Sequence, residues 1–179
     1  MPVTPFHMGP AVVVKVMARR HFSLRIFALT QVVIDLESAR NLYLHAYPVH
    51  RQLHTFVGAT FVSALTLVVG RYSFNAVNPF VKRFLSNVEE MPLWVIAELP
   101  KISWAAAWIG GMVGAISHVV LDAVIHPDVT PFWPRSTANP FFIEGSFNLM
   151  HLACVGVGIV ALPLWRGLAR SDPQEVTTR

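Results

Sequence analysis

The chain has 179 residues, of which 54% are hydrophobic and 13% charged, with a formal net charge of +4. Soluble domains carry about 25% charged residues, so this composition predicts a membrane protein, and the length suits one domain. The cations are spread over connecting segments rather than run together, which excludes a nucleic-acid patch and fits anchoring at an anionic membrane face.

The first residues, MPVTPFHMGP, have no basic run and are interrupted by prolines, so they are not expected to be a signal peptide. Insertion would then use the internal apolar segments. Thr4-Pro5 reads as a helix start, with His7 in the first turn. Two apolar runs follow, Ala11–Met17 and Phe22–Leu36, split by Ala18-Arg19-Arg20-His21. They predict two short helices in a hairpin, the alternative being one bent helix over 9–36. Residues 37–50 read as a polar and aromatic connector. The run from His54 to Gly70 predicts a membrane helix, with Gly58, Ala59, Ser63 and Ala64 as its packing residues.

Val77, Phe80, Val81, Phe84, Leu85 and Val88 recur at helical spacing opposite Lys82, Arg83 and Asn87. That stripe predicts an amphipathic helix lying in the membrane interface. Pro92 and Pro100 bracket a short turn holding Trp94 and Glu98. A third span is expected from Ile102 to Ile125 and a fourth from Phe147 to Trp165, which includes the lone Cys154 as a small buried hydrophobe. The expected fold is an all-α, multi-pass membrane helical bundle with one interfacial amphipathic helix. Residues 1–170 form its single domain, and 171–179 a disordered tail.

The chemistry gathers around Gly114–Pro134. His118, Asp122 and His126 fall four residues apart, a spacing that stacks side chains on one helix face. Two imidazoles bracketing a carboxylate can close on one metal ion or share two. Pro127 then stops the helix.

A sequential bundle alternates direction, so the end of one helix and the start of the next share a side. With residues 8–36 as a hairpin, His7, Asp35, His50, His54, His118, Asp122, His126, Glu144 and His151 all land at one end. His21 and His45 are left as surface residues. Of the cations, 3 lie at that end and 11 at the other, so the Lys/Arg excess predicts that the histidine end faces away from the cytoplasm.

Several of these pieces resemble a family of small multi-pass prokaryotic membrane proteins described as predicted metal-dependent hydrolases. They are Thr4–Pro10, Val33-Ile34-Asp35-Leu36-Glu37, Tyr47-Pro48-Val49-His50 with His54–Ala59, and Ser117-His118 through Pro134 with Asn139-Pro140. A more distant likeness is to the zinc-dependent phospholipase C and P1 nuclease class, whose ligand order Asp, His, His-x-x-x-Asp is met by Asp35, His54 and His118-x-x-x-Asp122. The later His-x-x-x-Glu of that class is not met, since Val155 stands at the offset from His151, and the chain begins with Met1 rather than Trp. The likeness therefore implies one or two ions rather than three.

The expected metal ligands are His7, Asp35, His50, His54, His118, Asp122, His126 and His151, with Asp122 and Glu144 in catalysis. The expected cofactor is a divalent ion of the zinc type. The expected function is a membrane-embedded hydrolase in the cell (inner) membrane, its metal site on the extracytoplasmic side, acting on phosphoesters or lipid-derived substrates. A metal- or proton-binding transporter or sensor is the alternative. The partners expected are the lipid bilayer and such a substrate, with no nucleic acid. The aromatic, proline-rich loop 127–143 is expected to fold over the histidine end as a lid, carrying Asp128 or Glu144 to the site.

Overall fold

A computed structural model describes residues 4–85 and 101–171. Five helices make up the fold of these residues: α1 Thr4–Ala18, α2 Leu24–Tyr43, α3 Phe56–Leu85, α4 Trp104–Ile125 and α5 Phe147–Ser171. There are no strands among them. Short 3-10 turns at Arg19–His21 and Gln52–His54 join α1 to α2 and lead into α3.

The hairpin expected over 8–36 is present. Arg19, at φ 44°, breaks the helical path, and the turn reverses the chain. Ser23 then caps α2, its side chain accepting from the Ile26 amide at 3.3 Å. The polar connector begins later than expected, because α2 continues to Tyr43. Its last turns carry polar residues with partners of their own: the Ser38 hydroxyl donates to the Asp35 carbonyl, and Asn41 donates to the Val49 carbonyl.

The interfacial amphipathic helix is corrected. Residues 71–85 continue α3 without a break, through Pro79, as one 30-residue helix. The stripe was real, but nothing in 71–76 stops the helix that precedes it. Val88, Asn87 and the turn at Pro92–Pro100 fall outside the described residues, as does nearly all of the tail expected at 171–179.

Three helices are long and apolar enough to cross a membrane: Phe56–Leu85, Trp104–Ile125 and Phe147–Trp165. They differ in burial. The most apolar stretch of α4 is 50% buried and that of α5 only 11%. On α5, Leu149, Leu152, Ile159 and Val160 are all exposed. Contiguous apolar surface on this scale is rare in monomeric soluble proteins.

α4 is the central helix. Its Gly110, Gly111 and Gly114 lie against Ser23, Ser63 and Phe27, so α2 and α3 approach closely from two sides. A Cβ on Gly9 would overlap the Cys154 carbonyl, and one on Gly58 the Gln52 carbonyl. The first contact joins α1 to α5. The second presses the turn that carries His54 onto the start of α3. Asn75 pins the entry to α4, accepting from the Ile102 amide at 2.8 Å and donating to its carbonyl at 3.2 Å.

Candidate metal centre

Four buried residues from three segments meet at one end of the bundle: Asp35 on α2, His54 in the turn before α3, and His118 and Asp122 on α4. One ligand atom from each lies within 4.8 Å of the other three. His118 Nε2 is 3.3 Å from Asp35 Oδ1 and 3.2 Å from Asp122 Oδ2. His54 Nε2 is 3.4 Å from Asp122 Oδ2 and 3.9 Å from Asp35 Oδ1. Bonds of about 2.0–2.2 Å to a tetrahedral ion imply ligand–ligand edges of about 3.3–3.6 Å. Three of the four separations lie within about 0.1 Å of that range, and the fourth, His54 to Asp35, is longer at 3.9 Å.

The orientation of the two imidazoles fits a metal as well. His54 Nδ1 lies 3.1 Å from Glu37 Oε2 and so donates to it, while His118 Nδ1 is bonded to Gln31 Oε1. Each ring is thereby held with Nε2 turned inward. His54 Nε2, His118 Nε2 and Asp122 Oδ2 are buried without a hydrogen-bond partner. Buried polar atoms of this kind are rare in native structures, and a cation satisfies all three at once. Outer partners of this type are usual for metal-ligating histidine. Glu37 also accepts from the Arg51 and Leu53 amides, which fixes the turn carrying His54.

His7 joins this group from the start of α1. Its Nε2 is 3.4 Å from Asp122 Oδ1, the oxygen facing away from His54 and His118, and its ring meets that of His118 edge-on at 4.9 Å. Asp122 thus has imidazole nitrogen on both of its oxygens.

A second group lies beside the first: His50, His126 and Asp128, whose ligand atoms also come within 4.8 Å of one another. The four-residue ladder on α4 is therefore divided. α4 ends at Ile125, and His126 has extended backbone, φ −120° and ψ 118°, as a residue before proline prefers. Its side chain leaves the His118 face and stacks on His50, ring centroids 4.4 Å apart. His50 in turn lies 4.7 Å from the His54 ring.

The loop after α4 crosses the histidine end. Asp128 Oδ2 accepts from the Val49 and His50 amides, and Oδ1 lies 2.9 Å from His50 Nδ1. The Pro131 carbonyl takes the Phe56 amide at 2.9 Å, and Phe132 packs on the Phe56 ring. Asn139 donates to the Ala123 and His126 carbonyls, closing the end of α4. Asp128 is thus the lid carboxylate beside the site.

Glu144 is not: it is exposed in the turn before α5, away from both groups. His151 belongs to neither group among the described residues. Its Nδ1 bonds the Phe147 carbonyl at 2.6 Å.

The electrostatics follow the geometry. Burial lowers the His54 pKa, but the facing carboxylates of Asp122, Asp35 and Glu37 outweigh it and raise it to about 10. Burial and the neighbouring His50 push His126 down to about 4. Burial raises Asp128, yet its hydrogen bonds from His50 hold it well below the usual carboxylate range.

Sequence reasoning missed Glu37 and Gln31. Glu37 stands two residues after Asp35, inside a segment read as connector. Gln31 is a lone amide in an apolar run, and its spacing of four from Asp35 was the available signal.

Fold and site together define a class: an all-helical protein with three helices fit to cross a membrane and a buried His/Asp cluster able to hold a metal ion. In comparisons with known proteins, no family model, no curated protein and no solved structure matches this chain.

Proposed function

We propose that this protein is a membrane-embedded, metal-dependent hydrolase of the kind its motifs resemble, using a divalent ion of the zinc type on a phosphoester or lipid-derived substrate. The observation that carries the reading is the convergence of Asp35, His54, His118 and Asp122, with His54 Nε2, His118 Nε2 and Asp122 Oδ2 buried and unbonded. Two imidazoles and two carboxylates suit zinc. When bound, such an ion acts as a Lewis acid and lowers the pKa of its water toward about 7.

The chain's own residues have separate parts in this reading. Glu37 and Gln31 hold His54 and His118 in register, His7 faces Asp122 Oδ1, and the Asp128 loop limits the entry of bulk water. The one-sided distribution of cations supports a site at the extracytoplasmic face of the cell membrane, where a lipid headgroup is at hand.

The transporter alternative finds less support. Below His118 the buried Thr30 and Thr66 are neutral, and their hydroxyls bond each other at 2.7 Å. An ion pathway would continue there with ionisable groups.

The test is metal analysis of the purified full chain together with a hydrolysis panel of soluble phosphoesters and phospholipid vesicles. The expected result is bound zinc, turnover lost on chelation and restored by zinc, and turnover lost in Asp122→Ala together with the zinc held by Asp35, His54, His118 and Asp122. Turnover that survives in a metal-free Asp122→Ala protein would overturn the reading. So would metal-dependent uptake into proteoliposomes with no ester cleaved.

A further inference from the structure

We propose that the protein holds a second, outer cation at His50, His126 and Asp128, and that this ion, unlike the inner one, exchanges readily with solvent. The site itself stands on its own geometry. Its meaning for catalysis rests on the hydrolase reading.

The first argument is a repeated construction. His54 and His118 each tie Nδ1 to an acceptor, Glu37 or Gln31, and leave Nε2 buried without a hydrogen bond. His50 is built in the same way. Its Nδ1 faces Asp128 Oδ1 at 2.9 Å, its side chain is 4% exposed, and its Nε2 is buried with no hydrogen-bond partner. A neutral imidazole with Nδ1–H committed to a carboxylate presents a lone pair at Nε2. Beside it stands the His126 ring, tilted by only 28°. Asp128 Oδ1 stands on the Nδ1 side of the His50 ring, and His50, His126 and Asp128 each offer a ligand atom within 4.8 Å of the other two.

The second argument is the difference in closure. The inner group offers four protein donors, all buried. The outer group offers three, of which His126 and Asp128 are only half-buried. Three protein donors leave a position of a tetrahedral ion open, so water completes the outer shell and that ion exchanges. The inner ion is enclosed by donors from α2, α4 and the turn before α3.

The third argument is topological. His50 belongs to the connector before α3, while His126 and Asp128 begin the lid. An ion among them ties lid to connector, reinforcing the bonds from Asp128 to the Val49 and His50 amides.

The experiment is zinc stoichiometry on the full chain in detergent, loaded, desalted and then exposed briefly to a chelator. Two ions per chain are expected, one released within the pulse and one retained. His126→Gln, from the lid, and His50→Gln, from the connector, should each bind one ion, and that one should resist the pulse. Unchanged elution volume and melting temperature would show that each variant is folded. If one of them does not fold, the other carries the test.

One chelator-resistant ion in the wild-type chain overturns the outer site and leaves the hydrolase reading standing. Two ions in both folded variants also overturn it. No bound zinc at all removes both readings. Two ions with no ester hydrolysed remove the hydrolase reading and leave the outer site in place.

Discussion

His118 and His126 lie on one stretch of chain, two helical turns apart, and meet opposite surroundings. His118 is fully buried on the face of α4 that packs against α2, with its Nδ1 bonded to Gln31. His126 stands where α4 has just ended, in extended backbone, against another histidine and a loop carboxylate. In the proposed reading the same residue type is a fixed ligand in the first place and an adjustable one in the second. What separates them is whether packed helices or a capped loop hold the ring.

The strongest way to break this comparison is Asp122→Ala. Removing one partner from a buried charged cluster costs about 3–5 kcal/mol, and here Asp122 faces His7, His54 and His118 together. The inner ion should be lost and the melting temperature should fall sharply, while zinc at the outer group remains measurable. Loss of all zinc in a folded variant would mean that the two groups are one site.

Gln31→Leu is a finer cut. It removes the acceptor on His118 Nδ1 and no inner ligand, and changes of this type cost about 10–100-fold in metal affinity. Competition titration should show that loss in the retained class of zinc only. An equal loss in the exchanging class would contradict the separation.

Protons distinguish the groups in a third way. The folded pKa of His54 is raised to about 10 from the ordinary 6.5. The stabilisation from its proton is therefore complete below 6.5 and is lost as pH rises through about 10. Near pH 8 the metal-free protein carries that proton, and an inner ion must displace it. His126, at about 4, has no proton to give there. Calorimetry in buffers of different ionisation enthalpy should show at least one proton released on filling the inner site, and none from His126 on filling the outer.

The smallest effect is expected from Asn139→Ala. It removes two hydrogen bonds that close the end of α4, each with a net contribution of about 1 kcal/mol. Release of the exchanging zinc should quicken several-fold, with the retained zinc unchanged.

Much of this arrangement was legible in the sequence. Alternating helix direction placed His7, Asp35, His50, His54, His118 and Asp122 at one end, and the hairpin that this required is present. The structure brings His118 and Asp122 against Asp35 and His54, as the topology predicted. Pro127 marked the end of α4 correctly.

Two kinds of information were not legible. Helix continuation past Leu36 and Gly70 depends on tertiary partners such as the Asn41–Val49 and Asn75–Ile102 bonds, which have no local signature. The roles of Glu37 and Gln31 depend on which imidazole nitrogen turns inward, and periodicity is silent about that. Glu144 was chosen for its position in the chain, and it is exposed in the turn before α5, in neither group.

α3 has a further consequence, in the vertical dimension. At about 1.5 Å per residue its 30 residues reach about 45 Å, against a hydrocarbon layer of about 30 Å. Its apolar run ends at Gly70, and at the next residue the Arg71 guanidinium lies over the Trp104 ring at 4.0 Å. Such a pair suits the lower membrane boundary. In the membrane-embedded reading proposed above, the turn that carries His54 would stand about 22–25 Å from that pair, just under the headgroups of a bilayer of ordinary thickness. α3 would then work as a ruler. A thicker bilayer would draw the lid down among acyl chains, and a thinner one would lift it into water, so the lipid composition of the membrane would set the depth of the histidine cluster.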